Sequence, residues 1–303
     1  MKISDAVTGF WLTKRLNMSK ATQAKYDHVY RRLVEVLGDK DIEQVTSADI
    51  RRFLDALRTQ HDGTERKQLS KRTLHDYWAC LSSFWTWAEQ ELEIAHVIRG
   101  KVKAPEYKES PIDPFTNDEV RRIVEACAET ADKRSRKTAV RDKAIVLTLL
   151  DSGLRAAELC DLTIEDYDSG RGRLHVKHGK GDKERFVTIG QRTQKMLWRY
   201  LASRSGAKPT EPLFISRSGR KLDKMNLTHL LIRIGERGNV QSAHAHRFRY
   251  TFAIEFLRNG GNVFVLKELL GHEKLEQTMR YVKFVESDIS ESAKHSPTDN
   301  WRL

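Results

Sequence analysis

The segment Ala104-Pro105-Glu106-Tyr107-Lys108-Glu109-Ser110-Pro111-Ile112-Asp113-Pro114 holds three of the six prolines in the 303-residue chain. Each proline fixes φ, removes a backbone N–H and disfavours helix in the residue before it. The stretch therefore reads as an extended linker that divides the sequence in two. The expected organisation is a helical domain over 1–105, a linker over 106–114, a larger domain over 115–285 and a C-terminal tail over 286–303.

Upstream of the linker the apolar residues recur at helical spacing. Ile3, Val7, Phe10 and Trp11 form one stripe. Ser19 is placed to cap a second helix carrying Ala24, Tyr26, Val29, Tyr30, Leu33 and Leu37, closed by Gly38. Thr46-Ser47-Ala48-Asp49 precedes Ile50, Phe53, Leu54 and Leu57. Ser70 precedes Leu74, Tyr77, Trp78, Leu81, Phe84, Trp85 and Trp87. Four amphipathic helices with short links imply a small bundle, and the aromatic residues at this spacing read as its core. Lys20 and Lys25 on the second helix, with Lys67, Lys71 and Arg72 at the start of the fourth, read either as a solvated face or as phosphate contacts.

Downstream, Thr116-Asn117-Asp118-Glu119 reads as a helix start, and a second helix covers about 139–152. The period then changes. Leu174 and Val176 alternate, Gly179-Lys180-Gly181-Asp182 forms a turn, and Phe186, Val187 and Ile189 follow, which is a β-hairpin pattern. Helices resume at about 191–204, 224–237, 246–258, 262–270 and 275–284. The second domain is thus mainly helical with a small sheet.

Lys and Arg total 54 against 42 Asp and Glu, a net charge of +12. That excess suits a polyanionic partner, because Lys and Arg contacts to phosphate supply most non-specific nucleic-acid affinity. Mean hydropathy is −0.61, and no apolar run approaches the ~20 residues that span a bilayer. The N-terminus lacks a signal-peptide pattern, so a cytoplasmic protein is expected. Cys80, Cys127 and Cys160 are odd in number and far apart, which reads as three buried thiols rather than a disulfide framework or a zinc site.

Four segments carry residues suited to chemistry. Ser152-Gly153-Leu154-Arg155-Ala156-Ala157-Glu158-Leu159 puts Arg155 at a helix start after a glycine bend, with Glu158 three residues on to orient its guanidinium. Gly179-Lys180-Gly181-Asp182-Lys183-Glu184-Arg185 projects Lys180 from a turn, with Lys177 and Lys183 competing for the same role. His244-Ala245-His246-Arg247-Phe248-Arg249 offers two frames of equal spacing, His246 with Arg249 and His244 with Arg247. The two histidines bring no third or fourth metal ligand with them, so no metal is expected. Leu270-Gly271-His272 ends a helix, and Tyr281 follows nine residues after that histidine. Each residue alone is ordinary.

Together, in this order and spacing, the four segments resemble the tyrosine recombinase family, which contains phage integrases and the Xer resolvases. The family pattern is Arg in G-L-R-x-x-E-L, Lys in G-K-G-x-K-x-R, H-x-x-R, then L-G-H with Tyr nine residues later. It falls here on Arg155, Lys180, His246, Arg249, His272 and Tyr281. Thr251-Phe252-Ala253 after Arg249 favours the His246 frame. The match is strong over roughly 115–285 and extends to the first domain through domain order and Ser70-x-x-Thr73. Three positions depart from the pattern. Tyr250 stands where a histidine often follows the second arginine, and His244 and Ala245 stand where a small polar residue and proline are common.

The resemblance implies a mainly α fold with a small antiparallel sheet, in which a four-helix, SAM-like core-binding bundle precedes an α+β catalytic domain, the two closing on DNA as a clamp. It implies Tyr281 as nucleophile forming a 3′-phosphotyrosine, Arg155 and Arg249 with His272 at the phosphate, His246 as base and Lys180 as acid. No cofactor is called for, since one phosphodiester is exchanged for one phosphotyrosine ester. Its partners would be duplex DNA with core sites, a homotetramer on two duplexes passing through a Holliday junction, and accessory proteins. A first domain of this length leaves no room for an arm-site-binding domain, which leans towards a simpler, Xer-like or transposon-type recombinase. The tail, ending Asn300-Trp301-Arg302-Leu303, is expected either to dock on a neighbouring protomer, or to pack on its own domain or be disordered. A type IB topoisomerase and a non-enzymatic DNA-binding accessory protein are the competing readings.

Overall fold

A computed structural model describes residues 1–59, 69–107, 113–127, 133–177 and 184–285. The chain folds as two units, Met1–Ser110 and Pro111–Leu303.

The first unit contains helices α1 (Ile3–Lys14), α2 (Lys20–Leu37), α3 (Ser47–Thr59) and α4 (Lys71–Glu91). Their starts follow from local hydrogen-bond chemistry. The Ser19 hydroxyl accepts the Thr22 N–H at 3.2 Å, and Ser70 accepts that of Thr73 at 3.1 Å. Thr46 and Asp49 cap reciprocally, each side chain accepting the other's backbone N–H. Phe10, Tyr30, Phe53, Phe84 and Trp85 are fully buried between the helices, as the apolar stripes require. Tyr107 packs edge-on against His75 at 5.1 Å and lies under the Arg72 guanidinium.

The second unit contains α5 (Asn117–Ala126), α6 (Lys133–Ser152), α7 (Ala156–Asp161), strands β1 (Tyr167–Asp168), β2 (Arg173–Val176) and β3 (Arg185–Thr188), then α8 (Gln191–Ala202), α9 (Lys224–Arg237), α10 (Ala245–Arg258), α11 (Val263–Leu270) and α12 (Glu276–Val285). Thr116 and Glu119 form a complete capping box for α5. α6 starts earlier than about 139, because Lys133–Lys137 favours helix but carries no apolar period to reveal it. It packs on α8 and α10 through Ala144, Ile145, Val146 and Leu149, all fully buried.

The three strands form one antiparallel sheet in the order β1-β2-β3, with Leu174 opposite Val187 and His175 opposite Phe186. Leu174, Val176 and Val187 face the core. Phe186 lies on the other face, 55% exposed, stacked on His175 at 4.5 Å. β1 has two residues, too few to show an alternation in sequence. No described helix is long and apolar enough to cross a membrane. The three cysteines are free and buried.

Candidate active site

Four segments far apart in sequence meet where α7, α10, α11 and α12 come together. At the centre is Gly153, which has φ +60°. A Cβ there would lie 2.3 Å from the Phe252 ring, so only glycine fits both the left-handed backbone and the packing. The bend it makes delivers Arg155 as the N-cap of α7. Arginine has no acceptor to cap with. Instead the Glu158 carboxylate reaches back to accept the Arg155 backbone N–H at 2.8 Å and the guanidinium at 2.7 Å. The other end of that guanidinium donates to the Gly271 carbonyl at 3.2 Å.

Glu158 also receives two hydrogen bonds from Arg185, at 3.1 and 2.8 Å, while Arg185 donates to the Leu269 carbonyl at 2.7 Å. Burial alone would raise the Glu158 pKa, but the hydrogen bonds and charge of Arg185, followed by those of Arg155, outweigh it and bring the value down to about 2. Gly271 has φ +63°, and a Cβ on it would lie 3.0 Å from the Arg185 guanidinium. The helix-ending glycine thus also makes room for this cluster.

Arg249 projects from α10 into the same region and is 3% exposed. Its guanidinium donates to the Gly153 carbonyl and the Leu270 carbonyl, each at 2.8 Å, and reaches His272 Nε2 at 3.0 Å. Burial and the neighbouring Arg155 charge lower its pKa to about 10, which leaves it a cation at neutral pH. His272 sits in the turn after α11, its Nδ1 2.8 Å from the Thr278 hydroxyl of α12. Burial, then the charges of Arg249, Arg155 and Arg280, bring its pKa down to about 4.

Arg155, His246, Arg249, His272, Gln277 and Arg280 line one cavity of about 430 Å³. A cavity walled by three guanidiniums and two imidazoles is suited to a phosphate group. Tyr281 is not on its wall. The residue is fully buried, its ring parallel to His272 at 6.1 Å and against Tyr250 at 5.1 Å, and its hydroxyl accepts from Arg280 at 3.3 Å.

Residues 114–287, more than half of the chain, match the sequence model of the phage integrase family. The chain belongs to this family. It is 30% identical over 274 residues to the tyrosine recombinase XerC of Pelobacter propionicus, covering 88% of this chain and 85% of that protein. It is 29% identical over 290 residues to the XerC of Thermodesulfovibrio yellowstonii, covering 90% of this chain and 91% of that protein. Among solved structures, the Tn1549 transposon integrase in complex with a circular intermediate DNA has the same fold. Its TM-score is 0.74 at 20% identity, covering 93% of this chain and 95% of that one. As a family member the protein is a tyrosine recombinase, an enzyme of site-specific recombination.

The integrase fold separates the two histidine frames. His244 is the N-cap of α10, its Nδ1 accepting the Arg247 N–H at 3.2 Å. Arg247 is committed to the Asp113 and Gln241 carbonyls and to Glu119, and it stacks over Phe115 at 4.1 Å. That pair holds the entry to the unit, while His246 and Arg249 face the cavity. Lys177 is paired with Glu165 at 2.9 Å and Asp166 at 2.8 Å, and these partners raise its pKa, the wrong direction for releasing a proton. Lys180 and Lys183 lie outside the described residues, as do Lys67 and the tail 286–303. In the first unit Lys20, Lys71 and Arg72 are exposed in the first turns of α2 and α4, and Lys25 is paired with Asp76 at 3.1 Å.

Sequence reasoning did not single out Arg185, Thr278 or Arg280 as site residues. Arg185 meets Glu158 across 27 positions, so no local spacing signals the pair. Arg280 is next to Tyr281 on a helix, where neighbours point apart, and only its long side chain returns to the hydroxyl.

The two acidic-range shifts imply acid lability. Glu158 has a folded pKa of about 2 against an ordinary 4.5, so its stabilisation is complete above pH 4.5 and is lost as pH falls towards 2. A shift of that size corresponds to about 3 kcal/mol. His272, depressed from 6.5 to about 4, favours the folded state fully above pH 6.5 and loses that contribution as pH falls towards 4. Melting temperatures between pH 7 and 3 should drop steeply for the wild type. In Glu158→Gln the starting stability should be lower and the fall below pH 4.5 shallower. Parallel curves would show that the Glu158 carboxylate contributes no such stabilisation.

Proposed function

We propose that the protein cleaves and rejoins DNA strands at specific sites through a covalent 3′-phosphotyrosine at Tyr281. The observation that carries this reading is the convergence of Arg155, Arg249, His272 and His246 on one cavity, beside which Tyr281 is held. The scissile phosphate occupies the cavity. Arg155 and Arg249 each keep donors beyond those committed to Glu158, Gly271, Gly153 and Leu270, and these meet the charge that develops on the phosphoryl oxygens. The Glu158–Arg185 pair keeps Arg155 in place.

Tyr281 attacks phosphorus as the bond to the 5′-oxygen breaks. The phenol proton passes to His246, and the leaving 5′-oxygen takes a proton from Lys180. Because Tyr281 is fully buried in the free protein, its side chain must leave that packing to bring its hydroxyl to the phosphate. The reverse reaction with a partner's 5′-hydroxyl exchanges strands, which requires two duplexes, four protomers and a Holliday junction. The transposon integrase of this fold was solved on DNA, and the charge of +12 suits the same partner. Phosphate contacts from Lys20, Lys25, Lys67, Lys71 and Arg72 would seat the first unit. Accessory proteins would set direction.

The test is a duplex selected by the protein from a random-sequence pool and nicked near the cleavage point, so that the cleaved end cannot be rejoined. The expected result is a covalent protein–DNA adduct whose nucleotide remnant maps by mass spectrometry to the peptide containing Tyr281. A remnant on another residue, or no adduct, would overturn the proposal. Supercoiled DNA relaxed at low protein concentration, with no recombinant product, would instead indicate a topoisomerase.

A further inference from the structure

We propose that Thr278 is a positioning residue for His272. Its hydroxyl accepts from Nδ1–H in the free protein and donates to Nδ1 once Nε2–H turns to a phosphoryl oxygen of DNA. This rests on the function proposed above. Arg249 Nη2 is 3.0 Å from His272 Nε2. A guanidinium has donors only, so Nε2 must present its lone pair. The ring is neutral, since burial and the surrounding guanidiniums lower its pKa to about 4. A neutral imidazole with a bare Nε2 carries its proton on Nδ1. That nitrogen is 2.8 Å from Thr278 Oγ1, which therefore accepts.

In this tautomer His272 offers a lone pair to the cavity and cannot donate to a phosphoryl oxygen. Donation requires the proton on Nε2, and Nδ1 then needs a donor. A carboxylate or a carbonyl at this place could only accept and would favour the first tautomer. A hydroxyl rotates and serves both. Thr278 is fully buried and His272 is 7% exposed, so the partner that completes the ring's hydrogen bonding is built into the fold. Thr278 also lies three residues before Tyr281, on the same face of α12, and the Tyr281 ring lies parallel to His272. The helix that carries the nucleophile therefore holds the imidazole both at its edge and over its face.

The test uses the full chain with ¹⁵N-labelled histidine, free and bound to a duplex selected by the protein from a random-sequence pool. Ring-nitrogen shifts of His272, assigned by comparison with His272→Gln, should report Nδ1–H in the free protein and Nε2–H in the complex. Thr278→Val should bind the duplex as wild type does and form the covalent adduct about tenfold more slowly, the effect of one hydrogen bond. Thr278→Ser should restore the rate. Thr278→Ala serves if the valine variant does not fold. Nε2–H in the free protein, unchanged Nδ1–H in the complex, or a Val variant that cleaves at the wild-type rate would each overturn the proposal. Failure of the recombinase mechanism reads differently, because wild type itself then forms no adduct while the free-state tautomer still tests Thr278.

Discussion

Tyr281→Phe is expected to fold and bind DNA as the wild type does, yet to form no covalent adduct with a nicked duplex. The ring contacts with His272 and Tyr250 are retained in Phe, so packing is preserved. The lost hydroxyl gives up one hydrogen bond, at 3.3 Å, from the exposed Arg280 guanidinium. A bond of that kind contributes about 1 kcal/mol or less. Chemistry should suffer on another scale. Deleting an enzyme's nucleophile lowers rates by about 10⁶-fold, which puts adduct formation below detection. Denaturing gels of the trapped complex, with binding measured in parallel, give the comparison. An adduct formed by the Phe variant would remove Tyr281 from the mechanism.

The second large effect is expected at Arg249. Its planar fork bridges the Gly153 and Leu270 carbonyls and reaches His272, three groups from two segments. Lysine keeps the charge but offers one compact ammonium, which cannot span all three and still face a phosphate. Arg249→Lys should therefore slow single-turnover adduct formation by about 10²–10³-fold, the scale of losing one donor at a developing anionic charge. Each buried carbonyl left unpaired costs about 1–3 kcal/mol, so the melting temperature should also fall. The rate is best taken per folded, DNA-bound molecule at saturating protein. A Lys variant with the wild-type rate would mean that Arg249 is purely structural.

Much of this protein can be read along the chain because the signals are local. The caps at Ser19, Thr46, Ser70 and Thr116 involve partners three residues away, so their helices start where the side-chain chemistry says they should. The alternation of Leu174 and Val176 and the glycine at 271 likewise act within a few residues. Two elements carry no such local signal. The early turns of α6 are charged without a period, and β1 is two residues long. Spacing alone left His244–Arg247 and His246–Arg249 equal. They differ only because His244 caps α10 while Arg247 turns to Glu119, so the other pair faces the cavity.

The sequence by itself therefore determined the two-part organisation, the mainly helical class with its small sheet, and the order of residue types that resembles a tyrosine recombinase. Each of these depends on neighbours within a turn, a strand or a fixed motif. Tertiary structure alone decided how the charges are balanced. Glu158 is held by Arg185 from 27 positions away, Lys177 is drawn off by Glu165 and Asp166, and His272 is clasped between Arg249 and Thr278. It also decided that Tyr281 rests fully buried behind that cluster. Hydrogen bonding and desolvation depend on which groups lie within a few ångströms in space, and only the packed chain sets those distances.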